Sequence, residues 1–254
     1  MALPLTPQGY SMKVVFAIPT IDGSIRSECV LSLMAAQRLL FEAKIDSDLF
    51  VIADCPVLPV ARNTLVAMFL REPGATDLLF IDADVGFDPE AVMRLLNRPE
   101  EIVVGVYPLK RDSGGWPMVM QTRDGVPLGR DGLIEADFVP TGFMRIQRGV
   151  FERLIAAHPE LRYADSVVET MGDQTLRAAW DFFHMGIDPQ RQRYTTEDYA
   201  FCQRWRDIGG RLWIDPDITF SHIGRKAYKG NLHQYLLRLP GGRDDPMRSA
   251  DACQ

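Results

Sequence analysis

Two aspartates one residue apart, Asp82 and Asp84, close a short apolar run, Leu78-Leu79-Phe80-Ile81. Such a run, with no helical period, reads as a strand buried on both faces. Carboxylates at the carboxyl end of a buried strand lie where open α/β sheets bind ligands. Hard oxygen donors there suit Mg²⁺ or Mn²⁺, commonly shared with a substrate's phosphates. If the chain stays extended, the two side chains project to one side about 7 Å apart, at about 3.3 Å per residue. A solvated strand end is the plainer alternative. Asp46-Ser47-Asp48 and Asp215-Pro216-Asp217 repeat the spacing, but the first precedes a strand and the second straddles a proline bend. Farther on, Thr195-Thr196-Glu197-Asp198 opens a helical stretch whose acidic first turn suits the helix dipole.

The elements that must position these groups follow from pattern. Residues 1–12 read as a loose leader. Lys13 to Pro19 is a first strand, and 26–43 carry a helical pattern through Val30, Leu33, Met34, Leu40 and Phe41. Asp48 to Asp54 is a second strand, and Pro56 to Arg71 a second helix ended by Pro73-Gly74. After the central strand a helix starts at once, with Asp88 as N-cap and Pro89 at its first position. Ile102 to Tyr107 is a fourth strand. This strand–helix alternation predicts a parallel sheet with helices on both faces. From Leu109 the pattern changes. Residues 111–117 read as a loop, 118–132 as a hairpin, and 135–146 as one strand interrupted at Pro140-Thr141-Gly142. A short helix spans 151–157. Residues 163–195 lack a clean period and are a candidate lid or acceptor loop, with Trp180, Phe182, Phe183 and His184 available to stack on a ligand or to pack. A helix from 195 ends at Gly209-Gly210, two short strands flank Pro216, and a basic stretch covers 225–229.

At 254 residues the chain can bury a sizeable core. Its 46% hydrophobic and 24% charged content is ordinary for a globular protein. A net charge of −6 gives no general attraction to nucleic acid or anionic membrane. The cysteines, Cys29, Cys55, Cys202 and Cys253, have no metal-ligand spacing and read as free thiols in a reducing compartment. No signal peptide is visible and no apolar run approaches the ~20 residues that cross a bilayer, so a cytoplasmic location is expected.

Taken in order, Ile18-Pro19-Thr20, Leu78 to Asp84, Val139-Pro140-Thr141-Gly142-Phe143, Thr196-Glu197-Asp198 and His222 resemble the motif series of nucleotide-sugar-dependent glycosyltransferases of the GT-A fold, close to family 2. The likeness covers roughly 13–226. It implies an α/β fold: a Rossmann-like nucleotide-binding half (1–110) with a mostly parallel central sheet flanked by helices, an acceptor-binding catalytic half (111–230) sharing that sheet, and a tail (231–254). It also implies the site. Asp82 and Asp84 would hold Mn²⁺ or Mg²⁺ against the donor diphosphate, Asp84 as direct ligand and Asp82 nearer the ribose or a bound water. His222 would complete the metal site. Asp198 would be the base of an inverting transfer, with Glu197 contacting the acceptor.

The same resemblance assigns the nucleobase and ribose to Pro19, Thr20 and Asp22, with Asp54 accepting from a uracil-like base. Arg62 and Asn63 interrupt an apolar helical pattern near that sheet edge, and Ala83 sits between the paired aspartates. Lys110, Arg225 and Lys226 are candidates for the diphosphate. Thr141 and Gly142 would bring backbone close to a substrate. The donor is a nucleoside-diphosphate sugar, UDP being preferred on family frequency. The acceptor is a glycan, a small molecule or a modified nucleobase in DNA. The Gln-x-x-Arg-Trp string of processive synthases is missing, Gln203-Arg204-Trp205 having the wrong spacing, so a single transfer without membrane association is expected. Two other readings stand beside this one. Phe80 to Val85 resembles the nucleophile strand of a haloacid-dehalogenase-type phosphatase, with Asp82 phosphorylated. A non-catalytic nucleotide-sugar or glycan-binding module would keep the same fold.

Overall fold

A computed structural model describes residues 12–123, 126–164, 179–188 and 192–238. The leader 1–11, most of the candidate lid and most of the tail therefore lie outside the described residues, as does Cys253. The chain begins with strand β1 (Lys13–Pro19), helix α1 (Ser27–Glu42), β2 (Asp46–Ile52), α2 (Leu58–Arg71), β3 (Asp77–Ile81), β4 (Val85–Phe87), α3 (Glu90–Leu96) and β5 (Ile102–Val104). Short strands β6 (Val119–Met120), β7 (Thr122–Arg123), β8 (Val126–Pro127) and β9 (Gly129–Arg130) follow, then β10 (Leu133–Phe138), β11 (Phe143–Gln147) and α4 (Arg148–Ala157). Two small ribbons, β12 (Arg162–Tyr163) with β13 (Ala179–Trp180) and β14 (Gly186–Asp188) with β15 (Arg193–Thr195), lead to α5 (Glu197–Asp207). The described chain closes with β16 (Leu212–Ile214), β17 (Thr219–Ile223), β18 (Ala227–Asn231) and α6 (Leu232–Leu236).

One mixed sheet, in the order β2-β1-β3-β11-β5-β16-β10-β6 with β9 beside β10, takes strands from both halves of the chain. The pairings make β2, β1, β3, β5, β16 and β6 run one way, while β11 and β10 oppose them. The central sheet is thus mostly parallel in direction and flanked by helices, as the α/β expectation had it. Period-two alternation sends side chains to two cores. Val15, Ala17, Leu78, Phe80 and Met144 pack with α2, α4 and α5, whereas Val14, Phe16, Leu79, Ile81 and Phe143 pack with α1 and α3. Phe182 and Phe183 belong to the first core, Phe183 stacking on Phe201 with centroids 4.6 Å apart. Those two aromatics are therefore packing residues and not available to stack on a ligand. Cys29, Cys55 and Cys202 are buried free thiols.

Two expectations need correction. The interrupted strand 135–146 is two separate strands that are not neighbours, β5 and β16 lying between them. Pro140 cannot donate to a ladder, and the Val139–Gly142 link lets the chain leave one part of the sheet and enter another. Nor does a helix begin directly after Asp84. β4 intervenes and pairs with β17, placing Val85 opposite His222, and only then does α3 start. Asp88 still acts at that start, its Oδ1 accepting from Glu90 N at 3.2 Å.

Arg145, buried in β11, ties α3 to the sheet. It donates to Leu95 O at 3.0 Å, Glu100 O at 2.6 Å and Arg98 O, satisfying carbonyls in the last turn of α3 and beyond it, and lies 3.5 Å from the buried Asp77 carboxylate. Burial raises the Asp77 carboxyl, and Arg145 and Thr76 offset part of that rise. Arg145→Met strands both the carboxylate and the carbonyls, and is expected to lower unfolding stability by about 3 kcal/mol or more, read from urea denaturation.

Candidate active site

β3 is buried along its whole length and apolar after Asp77, so it delivers its carboxyl end to a fixed point. Asp82 N donates to Gly142 O at 2.8 Å and Val85 N to Asp82 O at 3.1 Å, bending residues 82–84 into a turn. The extended spacing expected for the two aspartates is therefore replaced, and their carboxylates meet different partners. Asp82 Oδ1 accepts from Arg62 Nη2 at 3.0 Å and Oδ2 from Tyr107 Oη at 2.7 Å. Asp84 Oδ2 accepts from Lys110 Nζ, and Asp84 Oδ1 lies 3.4 Å from His222 Nε2.

The β4–β17 ladder brings His222 to that place from a distant part of the chain, reinforced by Ile223 N donating to Asp84 O at 2.8 Å. His222 Nδ1 donates to Pro108 O at 2.8 Å, which fixes the ring and turns Nε2 toward Asp84. Burial alone would raise the Asp84 carboxyl, but hydrogen bonds from His222 and Lys110 outweigh it and hold the group below its ordinary value. Asp84 and His222 form a two-donor corner. Among the described residues no three His, Cys, Asp or Glu side chains gather into a cluster able to hold a metal. Two protein donors are enough for a hard cation whose other positions come from phosphate oxygens and water.

The corner opens on a cleft of about 530 Å³ lined by Pro19, Thr20, Asp22, Ala83 and Lys110, among others, together with both aspartates. The turn after β1 is stiff. Gly23, at φ 74°, donates to Thr20 Oγ1 at 2.9 Å, and Asp22 Oδ1 accepts from Ser24 N and Oγ. Arg26 N donates to Ala83 O at 2.8 Å, closing this turn against the aspartate turn.

Other expected residues lie elsewhere. Arg62 is 2% exposed and does not line the cleft; it lies beneath Asp82, with Nε 3.7 Å from Glu197 Oε1 and its guanidinium 5.3 Å from the Phe80 ring. Asn63, one position on in α2, meets different partners, donating to Asp181 Oδ1 and accepting from Phe183 N, each at 3.0 Å. Gly142 makes room for a side-chain contact, since a Cβ there would fall 2.1 Å from both Asp82 Oδ2 and Tyr107 Oη. Thr141 is buried. Asp54 sits in a left-handed turn at φ 56°, outside the cleft lining. Lys226 pairs with Asp112 and covers Tyr228, and Arg225 is exposed without lining the cleft.

Glu197 and Asp198 occupy the first turn of α5. Asp198 Oδ1 accepts from Thr196 Oγ1 and from Tyr199 N at 2.9 Å. Both carboxyls are raised, mainly by burial. Glu197 is raised further by Asp198, while Thr196 and then Arg62 offset part of the rise at Asp198. Tyr107 went unassigned in the sequence reading. Burial and then Asp82 push its phenol well above the ordinary value, so it remains a donor. Its only sequence signal is a polar tip ending an apolar strand at the ligand-facing edge.

No protein-family model matches the chain, and no curated protein matches by sequence. Among solved structures the chain is similar to A197 from STIV, at 18% identity and a TM-score of 0.50 over 84% of this chain and 86% of that one. It is also similar to the catalytic domain of Drosophila beta1,4galactosyltransferase 7 in complex with xylobiose, at 14% identity and a TM-score of 0.45 over 91% and 83%. The first likeness shows a shared α/β fold. The second is too loose to argue from.

Gly142→Ala would force the Asp82–Tyr107 contact apart. It is expected to cost about 1–3 kcal/mol of stability, as overpacking does, with a visible change in near-ultraviolet circular dichroism from Tyr107.

Proposed function

We propose that the protein is a metal-dependent glycosyltransferase that moves a sugar from a nucleoside-diphosphate donor, preferably UDP-linked, to an acceptor hydroxyl with inversion. The observation that carries this reading is the meeting of Asp84, His222 and Lys110 at the mouth of the cleft formed by the turns after β1 and β3. Open α/β sheets bind ligands at such carboxyl ends. In this reading Asp84 Oδ1 and His222 Nε2 would hold Mn²⁺ or Mg²⁺, which would supply Lewis-acid neutralisation of the diphosphate's charge. Lys110 exchanges Asp84 for a phosphate oxygen. Pro19, Thr20 and Asp22 line the nucleoside end. Asp82, held by Arg62 and Tyr107 at the cleft wall, serves as the brace of the turn, a narrower role than ligand or ribose contact.

Asp198 accepts the proton of the acceptor hydroxyl as that oxygen bonds to the anomeric carbon. The bond from that carbon to the phosphate oxygen breaks, and its electron pair leaves with the nucleoside diphosphate. Burial of Asp198 favours this role, because a carboxyl raised above its ordinary value is a stronger base. The phosphatase reading is disfavoured, since both oxygens of Asp82 are engaged, by a buried guanidinium and by a phenol.

Two measurements test the proposal. In a thermal-shift screen of nucleotide-sugars, the matching donor with Mn²⁺ is expected to raise the melting temperature, and Asp84→Asn to abolish the Mn²⁺-dependent part. A screen with no donor response rejects the reading. Asp198→Asn is expected to keep donor binding and to lower turnover by about 10²-fold or more. Because the base works deprotonated, wild-type kcat/KM falls as pH drops through a value above the ordinary aspartate 3.8. Unchanged turnover in the variant would remove Asp198 from the role.

A further inference from the structure

A second cleft, of about 320 Å³, lies between the β14–β15 hairpin and another flank of α5 from the one that carries Glu197 toward Arg62. Its walls include His184, Asp188, Gln203 and Arg204, with Ile187 and Tyr199 as apolar surface. His184 is held in a chain of polar contacts. Its Nδ1 donates to Asp181 Oδ2 at 2.7 Å, Asp181 Oδ1 accepts from Asn63 Nδ2, and Asn63 is 2% exposed. Arg204 donates to Asp181 O and to Phe182 O at 2.8 Å, so the backbone under the dyad is pinned as well. A carboxylate on Nδ1–H fixes the tautomer that presents Nε2 as an acceptor. Gly186 keeps the approach to that nitrogen open, because a Cβ there would fall 2.7 Å from Nε2. The hairpin exposes the large apolar side chains of Ile187 at 68% and Tyr194 at 66%, with Met185 just before it at 39%, a pattern that marks interaction surfaces.

We propose that this cleft is a carbohydrate-binding acceptor subsite in which His184 accepts a hydrogen bond from a sugar hydroxyl. Asp188 against Arg204 balances the charge of the walls, which suits a neutral ligand rather than a phosphate or nucleic-acid backbone. Vicinal hydroxyls both donate and accept, and His184 Nε2 and the side-chain oxygen of Gln203, whose amide nitrogen donates to Asp207 at 2.6 Å, are acceptors for them, while Ile187 and Tyr199 cover a sugar's C–H face. The volume falls at the small end of ligand clefts and has room for a sugar ring. Neighbouring residues of α2 serve the two clefts, Arg62 bracing Asp82 and Asn63 bracing Asp181. The word acceptor rests on the glycosyl-transfer reading; the binding itself does not.

The test is NMR of the full isotope-labelled chain, following His184 and Tyr199 during titration with methyl glycosides of glucose, galactose, mannose, xylose and N-acetylglucosamine. A separate sample, titrated with UDP and Mg²⁺, follows His222. At least one glycoside is expected to move His184 and Tyr199 saturably. Gly186→Ala, which closes the approach to Nε2, and His184→Ala are each expected to weaken that binding about tenfold. His184 is half exposed, so neither variant endangers the core. The proposal is overturned if no glycoside moves these signals, if glycerol moves them equally, or if the shifts persist in both variants. A UDP response without a sugar response removes the subsite and leaves the transferase reading standing. A sugar response without a UDP response does the reverse, leaving a carbohydrate-binding cleft.

Discussion

The ion pair between Arg62 and Asp82 is the interaction on which the centre of this molecule depends. A guanidinium almost wholly out of water needs a counter-charge within bonding distance, and Asp82 Oδ1 at 3.0 Å supplies it. Tyr107 then satisfies the other carboxylate oxygen, and Gly142 leaves the space in which these groups meet. The pair joins α2 to the end of β3 and holds the turn that carries Asp84. Two nitrogens of Arg62, Nε and Nη1, have no hydrogen-bond partner although buried, and Glu197 Oε1 stands 3.7 Å from Nε. The guanidinium therefore sits between the aspartate turn and the acidic start of α5, and its one charge acts on both.

Around that centre the fold uses strand pairing to import groups from afar. β17 carries His222 beside Asp84 only because β4 offers three residues of edge for it. Pro108 fixes the ring by accepting from Nδ1. Lys110 comes from the loop after β5, and the β1 turn is drawn in by the bond from Arg26 N to Ala83 O. Each contributor is short and locally unremarkable. The cation-seeking character of Asp84 arises from their sum, since burial opposes its charge while His222 and Lys110 restore it.

Much of the scaffold was legible in the residues. The strands β1 and β3 and the helices α1 and α2 lie where their patterns indicate, although of the residues that set the α1 period only Leu33 and Leu40 are buried, Val30, Met34 and Phe41 being exposed. The 82–84 aspartates do end a buried strand, and Glu197 and Asp198 do open a helix. The failures share a cause. Arg62 and Asn63 look alike as polar interruptions of a helix, yet they meet different partners, Asp82 and Asp181, because adjacent helical positions differ by about 100°. Pro140 and Gly142 read as a bend in one strand, whereas the two flanking strands find separate partners. Tyr107 stood out only by its hydroxyl tip, because its ring packs like any core aromatic.

Residue pattern alone determined which segments are strands and helices, that helices would cover both faces of a sheet, and that carboxylates would stand just past the carboxyl end of β3. Those properties depend on near neighbours in sequence, through backbone period and burial. Tertiary structure alone decided which carboxylate each cation meets, which polar side chain is buried, and that His222, 138 positions after Asp84 (222 − 84), lies beside it. Such pairings depend on long-range strand order and on the energetic demand that every buried charge find its opposite, and neither is written in any local stretch of the chain.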